Sequence, residues 1–272
     1  MNSKLKSERQ DSILKEVLRR GPVSIGDLAA YLKVSEITVR RDLDELHLSG
    51  LLERVRGGAR PLSVRGPEPP VIQRAEEQPA EKQAIGQTAL DFITDGDVIV
   101  IESGSTTLEL ARAIARQTWT NLQVATNGFL VAEILMRVPG VQLVCIGGYF
   151  KQEEMCTFGV LAEDMLSRMR FNKLFIGCRG IDPEGGITTD LQSETDVFTV
   201  RAMAGAADQV IILADHTKFG RIFLLRALSI AKVDIVITDS LTPENILDKL
   251  RKQDIQIIVV PRENTTSGAA GL

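Results

Sequence analysis

Cysteine, histidine and tryptophan are scarce in this chain of 272 residues, with three, two and one of each. Cys145, Cys156 and Cys178 show no C-x-x-C spacing and cannot close a disulfide framework, which fits a reducing cytosol. The scattered cysteines and histidines have no metal-ligand spacing, so neither a metal nor a cofactor is expected. No apolar run reaches the ~18 residues of a membrane-crossing helix. The polar start, MNSKLKSERQ, lacks the apolar core of a secretion signal, so the expected location is the cytoplasm. No Walker loop or GxGxxG motif is present, which disfavours ATP and NAD.

What remains is an ordinary globular composition, 44% apolar and 25% charged, over a length suited to two domains. The net charge of −4 hides an asymmetry. Residues 1–60 hold 12 Lys/Arg and 9 Asp/Glu, whereas the remainder holds 20 and 27. A basic module precedes a larger acidic one, a pattern compatible with a nucleic-acid-binding end.

Residues 8–20 have the apolar spacing of a helix through Ile13, Leu14, Val17 and Leu18, stopped by Gly21 and Pro22. Ser24, with Asp27 three residues on, opens a second helix. Ser35 opens a third over 36–48, with Val39, Leu43 and Leu46 inward and Gly50 as its stop. Three short helices with a tight turn between the second and third describe a helix-turn-helix. The first turn of the third helix, with Ser35, Glu36, Ile37, Thr38, Arg40 and Arg41, is the candidate DNA reader. Arg40 and Arg41 differ by about 100° around the helix, so only one of them faces the DNA squarely. Leu51, Leu52 and Val55 then suggest a hairpin with a basic, flexible tip at Arg54, Arg56, Gly57, Gly58 and Arg60, which is a wing.

The stretch VSEITVRRDLDELHLSGLLERVRGGA resembles the winged helix-turn-helix of the DeoR family of bacterial transcription regulators. Arg56 stands where that family usually has histidine, and it keeps a side chain able to hold phosphate. The resemblance implies binding to double-stranded operator DNA. Pairing of two winged helices over repeated half-sites would make the protein a dimer or tetramer.

Residues 61–80 include Pro61, Pro67, Pro69, Pro70 and Pro79 and are expected to form a stiff, extended spacer. From 81 to 262 apolar strands alternate with helices. Strands are expected at 97–101, 122–125, 141–146, 173–177, 209–214, 234–238 and 255–260. Continuous Val/Ile/Leu runs separated by helices mean a mostly parallel sheet covered on both faces, an α/β domain. Residues 263–272 read as a frayed tail.

Ligands of such sheets sit beyond the carboxyl ends of the strands. The first strand runs into Glu102, Ser103, Gly104, Ser105, Thr106 and Thr107 as a helix opens, which makes either an anion site or only a helix cap. Glu102 suits sugar hydroxyls or loop amides better than phosphate. Other strand ends supply Thr126 and Asn127, then Gly147 and Gly148, then Arg179, Gly180 and Asp182. The turn after the fifth strand holds His216, which either touches ligand or is structural, and Lys218, a cation for the same phosphate.

GSTT at 104–107, TN at 126–127, GG at 147–148, GID at 180–182 and LADHTKFG at 213–220 resemble the DeoR-family sensor domain, whose fold is similar to ribose-5-phosphate isomerase. The resemblance implies a repressor of a carbohydrate-use operon that responds to a phosphorylated sugar or related metabolite. The alternative is an isomerase fused to a DNA-binding module. Against it, the glycine-rich loop PEGGITTD has no lysine, and an ungapped count puts Val200 at the position of the enzyme's base. Proton transfer between carbons needs such a base. Glu194 and Asp196 are the carboxylates nearby, and the expectation is a protein without catalysis.

Overall fold

The computed structural model describes residues 2–20, 22–48, 51–60, 68–190 and 194–261. Gly21, Gly50, Pro61, Pro67 and the 263–272 tail lie outside them, as do the side chains of Glu194 and Asp196. The chain divides into two compact units between Gly66 and Pro67.

In the first unit, α1 (Asn2–Arg20), β1 (Val23–Ser24), α2 (Ile25–Leu32), α3 (Glu36–Leu48), β2 (Glu53–Val55) and β3 (Gly58–Arg60) follow in order. The Ser24 hydroxyl accepts the Asp27 amide at 3.0 Å, and the Ser35 hydroxyl accepts the Thr38 amide at 3.3 Å. Both hydroxyls satisfy first-turn donors that a helix leaves open. Ile13, Val17, Leu28, Val39, Leu43 and Leu52 are fully buried between the helices and the hairpin. β1 adds to the hairpin as a third strand in the order β1-β3-β2, a pairing too short for the sequence pattern to reveal. Gly58 is required there, because a Cβ would meet the Val23 carbonyl oxygen at 2.1 Å.

The second unit begins with α4 (Val71–Ala75), α5 (Pro79–Leu90), β4 (Val98–Ile101), α6 (Ser105–Ile114), β5 (Leu122–Thr126), α7 (Phe129–Leu135) and β6 (Val141–Cys145). β7 (Tyr149–Lys151), β8 (Cys156–Phe158), α8 (Val160–Ser167), β9 (Phe171–Ile176), β10 (Gly180–Asp182) and β11 (Gly186–Thr189) follow. The last elements are α9 (Glu194–Ala206), β12 (Ala207–Leu213), β13 (Leu225–Leu228), β14 (Ile235–Asp239), α10 (Glu244–Arg251) and β15 (Gln256–Val260).

Seven strands pair in parallel in the order β15-β14-β12-β9-β4-β5-β6. Alternate side chains of each strand go to opposite faces. Val100, Leu174, Ile176, Ile212 and Val236 enter one apolar cluster with α8, α9 and α10. Ile99, Ile101, Phe175, Ile211 and Ile237 enter the other with α5, α6 and α7. The chain runs outward from β4 through β5 to β6, then returns to β9 on the other side of β4. That reversal splays the connections after β4 and β9 apart and opens a crevice at their carboxyl ends.

Two features depart from the sequence pattern. The short antiparallel sheets β7-β8 and β10-β11-β13 have strands of three or four residues, too short for a legible alternation. Part of the expected spacer is also folded. Val71 is buried and donates its amide to the Glu153 carbonyl at 2.9 Å, while Pro79 stands in the first turn of α5. Proline suits that position because it lacks an amide that a helix start leaves unpaired anyway. Among the described residues no helix is long and apolar enough to cross a membrane.

Candidate functional site

In the first unit α3 turns one side to the core and the other to solvent. Val39, Leu43 and Leu46 hold α3 against the core, so the opposite line of the helix, Ile37, Arg41, Asp44 and Leu48, faces solvent. Arg41 is the open arginine, with 83% of its side chain exposed and Glu45 at 3.7 Å, whereas Arg40 leans to Glu36 at 3.4 Å. Glu45 is chiefly engaged elsewhere. Lys6 at 2.6 Å holds its carboxyl below the ordinary range, with help from Gln10. The Ser35 and Thr38 hydroxyls bond each other at 2.9 Å on the first turn.

The wing arginines divide. Arg54, expected to contact DNA, is half-buried and donates to Asp44 of α3 at 2.9 Å and to the Gly58 carbonyl at 3.0 Å. It fixes the hairpin to α3. Arg60 is spent on Glu53 at 2.7 Å. Arg56 and Gly57 remain exposed at the tip, where Gly57 has a φ of 84° that favours glycine. Beneath α3, Asp42 is buried and takes two bonds from Arg9, at 2.5 and 3.0 Å. Position within the family-like stretch was the only hint of this brace.

In the second unit a cleft of about 970 Å³, counting its open mouth, lies at the crevice after β4 and β9. Of the residues singled out at the strand ends, Glu102, Ser103, Gly104, Ser105, Thr106, Asn127, Arg179 and Lys218 line it. α6 starts there with no side-chain cap, so its first-turn amides have no side-chain acceptor and meet the cleft beside Ser105 and Thr106. Lys218 stands on a short 3-10 turn whose entry is held by the Asp215 carboxylate accepting the Thr217 amide at 2.9 Å. Burial works against the Asp215 charge, but Lys218, Thr217 and Lys82 together keep its carboxyl below the ordinary range.

The remaining expected residues have other roles. The Thr107 hydroxyl is spent on the Glu102 and Gly104 carbonyls, and that of Thr126 on the Gly128 amide. Gly147 and Gly148 precede the β7-β8 hairpin and do not line the cleft, and Gly148 packs closely on Phe158 backbone. Gly180 pairs within the small sheet, and Asp182 accepts the Glu184 and Gly185 amides to close a turn. His216 is fully buried with its Nδ1 3.0 Å from the Asp239 carboxylate, a structural role away from the cleft. Asn127 lines the cleft, but its amide group is occupied by the Ser103 amide at 2.9 Å and the Thr157 carbonyl at 3.0 Å, so it positions the β4–α6 loop.

The cleft also contains residues that no sequence motif indicated. Arg74 of α4 reaches in and pairs with Glu68 and Glu154, each at 2.5 Å. Burial tends to lower the guanidinium's pKa, but the two carboxylates more than offset it and raise it. Burial raises the carboxyl of Glu154 above its usual range, against the pull of Arg74. Lys82 is buried behind them and donates to the carbonyls of Arg74 and Glu77, which clamps the end of α4. Val197, Thr199 and Val200 form the α9 wall, so the position expected for an isomerase base carries an apolar side chain facing the cleft. Burial pushes the Cys178 thiol up to about 12, so it stays protonated at neutral pH.

Residues 9–64 match the DeoR-like helix-turn-helix domain and residues 77–240 the DeoR C terminal sensor domain. Transcriptional repressor AccR of Agrobacterium fabrum is 33% identical over 249 residues, 90% of this chain and 95% of that protein. HTH-type transcriptional repressor CsqR of Escherichia coli is 32% identical, covering 94% of this chain and 96% of its own length. The glycerol-3-phosphate regulon repressor of Escherichia coli is 31% identical, covering 92% and 98%. Among solved structures, ribose 5 phosphate isomerase A of Neisseria gonorrhoeae aligns over 51% of this chain and 52% of its own at 14% identity and a TM-score of 0.37, a likeness too low to bear on activity. With a helix-turn-helix domain followed by a sensor domain that spans more than half of its length, the chain belongs to the DeoR family of DNA-binding transcriptional regulators.

Proposed function

We propose that this regulator is a cytoplasmic repressor of a carbohydrate-use operon, released from or retuned on its operator by a phosphorylated sugar or related metabolite in the cleft. The observation that carries this reading is the meeting of the uncapped start of α6, the Ser105 and Thr106 side chains and Lys218 at one cleft. Unspent amides at a helix start together with a cation suit a phosphate. Glu102 and Thr189, on the same lining, suit sugar hydroxyls. The relative named for the glycerol-3-phosphate regulon points to the same ligand chemistry.

DNA binding falls to Ser35, Thr38 and Arg41 of the α3 face, with Arg56 at the wing tip on phosphate, and two or four copies assemble on repeated half-sites. The protein acts without catalysis. Val200 supplies no base, and the cleft carboxylate of Glu154 is engaged by Arg74.

A thermal-shift screen against phosphorylated sugars, each beside its unphosphorylated parent, tests the reading. A ligand that binds only the folded state at a hundred times its Kd adds about 2.7 kcal/mol, which raises the melting temperature by several degrees. Lys218→Ala is expected to abolish the shift and to leave operator affinity without ligand unchanged. An undiminished shift in that variant would remove phosphate from Lys218.

A further inference from the structure

Every other apolar residue in the first two turns of α3 is buried, but Ile37 is 79% exposed. It stands about 180° around the helix from Leu46, pointing directly away from the core. Lone exposed apolar side chains are ordinary on protein surfaces. The setting of Ile37 is what matters. Its neighbours on the open face are the carboxylate of Glu36, the hydroxyl of Ser35 and the guanidinium groups of Arg40 and Arg41, all exposed. Those groups read hydrogen-bond donors and acceptors on base edges or hold phosphates. Isoleucine can do neither.

The major-groove edges of the four base pairs offer one apolar feature, the 5-methyl group of thymine. Side chains at the start of a recognition helix are the ones that reach those edges. We propose that Ile37 is a specificity-determining residue that packs on a thymine methyl group in each operator half-site. The inference rests on the assignment of α3 as the helix that enters the major groove. A β-branched side chain suits the task, because a helix already restricts its χ1 angle and contact with DNA freezes little further motion. Leu48 is as exposed, at 81%, but stands about 16 Å further along the helix axis. It serves as a control for apolar exposure without the first-turn position.

The test uses the full-length protein. Duplexes are enriched from a randomised 30-base-pair library, and the best is resynthesised with deoxyuridine at each thymine in turn, which removes only the methyl group. For the wild type, one thymine per half-site is expected to lose about fourfold in affinity on this change, the worth of one buried methyl group. In Ile37→Ser the same replacement is expected to cost nothing, and affinity for the thymine duplex falls by the same factor. Ile37→Val should retain part of the discrimination, and Leu48→Ser all of it. Serine and valine have helix propensities close to isoleucine, so α3 is preserved. Uracil tolerated at every position by the wild type, or a methyl preference that persists in Ile37→Ser, would overturn the assignment of Ile37 alone. Failure to enrich any duplex, or unchanged affinity in Arg41→Ala, would overturn the α3 reading and this inference with it.

Discussion

The two units keep their candidate functional groups in opposite places. In the first, the candidate DNA-contacting residues lie outside, on a helix whose other side is core, and Ile37 and Arg41 stand open to water. In the second they lie in a cleft, where burial alters the chemistry. The Cys178 thiol is pushed up to about 12, and Glu68 and Glu154 flank the Arg74 guanidinium and offset the burial of its charge. Exposed charges are screened, so DNA binding should follow salt. Cleft charges sit in a lower dielectric and gain from pre-set partners. An open face suits a large, already ordered polyanion, whereas a cleft suits a small ligand that must be desolvated to be told apart from others.

The units also differ in what holds them. Phe175 is fully buried on β9, in the middle of the sheet. Phe175→Ala should cost about 3–5 kcal/mol, read by the fluorescence of Trp119, the chain's one tryptophan. A loss below about 1 kcal/mol would mean the second unit does not depend on its sheet core as described.

In the first unit the comparable test is polar. Asp42→Ala leaves Arg9 without its carboxylate and should cost about 1.5–3 kcal/mol. A calorimetric transition of the first unit should move down while the transition reported by Trp119 stays, and movement of both would deny the units separate stability.

Function should separate in the same way. Arg41→Ala should weaken operator binding about tenfold and reduce the slope of log affinity against log salt by about one. The ligand-induced thermal shift should be untouched, and a change in it would tie the two sites through this residue.

The smallest expected effect is on acid stability. Burial disfavours the Asp97 charge, but the bond from Lys173 at 2.6 Å and that from the Thr94 amide at 2.8 Å hold its carboxyl below the ordinary range. The folded state therefore keeps Asp97 ionised at a pH where the unfolded chain has begun to protonate it. This stabilisation is fully present above the unfolded value of about 3.9 and is lost as pH falls through the lower folded one. Asp97→Asn should remove about 1 kcal/mol or less at pH 6, with the gap to wild type closing below pH 4. A gap independent of pH would assign the effect to packing.

The extent to which each region was legible follows from contact range. The α2 and α3 starts were readable because Ser24 and Ser35 act on amides three residues away. The inner strands of the seven-stranded sheet were readable because burial on both faces favours unbroken Val/Ile/Leu runs, and the edge strands β6 and β15 carry similar runs although they are largely exposed. Arg74 was not, because its partners Glu68 and Glu154 flank it from opposite directions in the chain and the latter sits on a hairpin without a pattern of its own. The wing tip looked uniformly basic, and only the fold turned Arg54 inward to Asp44 and left Arg56 outside.

The amino-acid order by itself determined the helix-turn-helix, the two-unit division and the alternation that yields a parallel sheet. Each of these depends on local caps and on periodic burial, which act over a few residues. Tertiary structure alone decided which strand ends meet. The reversal between β4 and β9 brings the start of α6 and the turn that carries Lys218 into one cleft, adds Arg74 from a stretch that reads as spacer, and leaves Gly147, Gly148 and Asp182 to shape turns elsewhere. Strand order is set by packing between distant segments, and no short-range pattern encodes it.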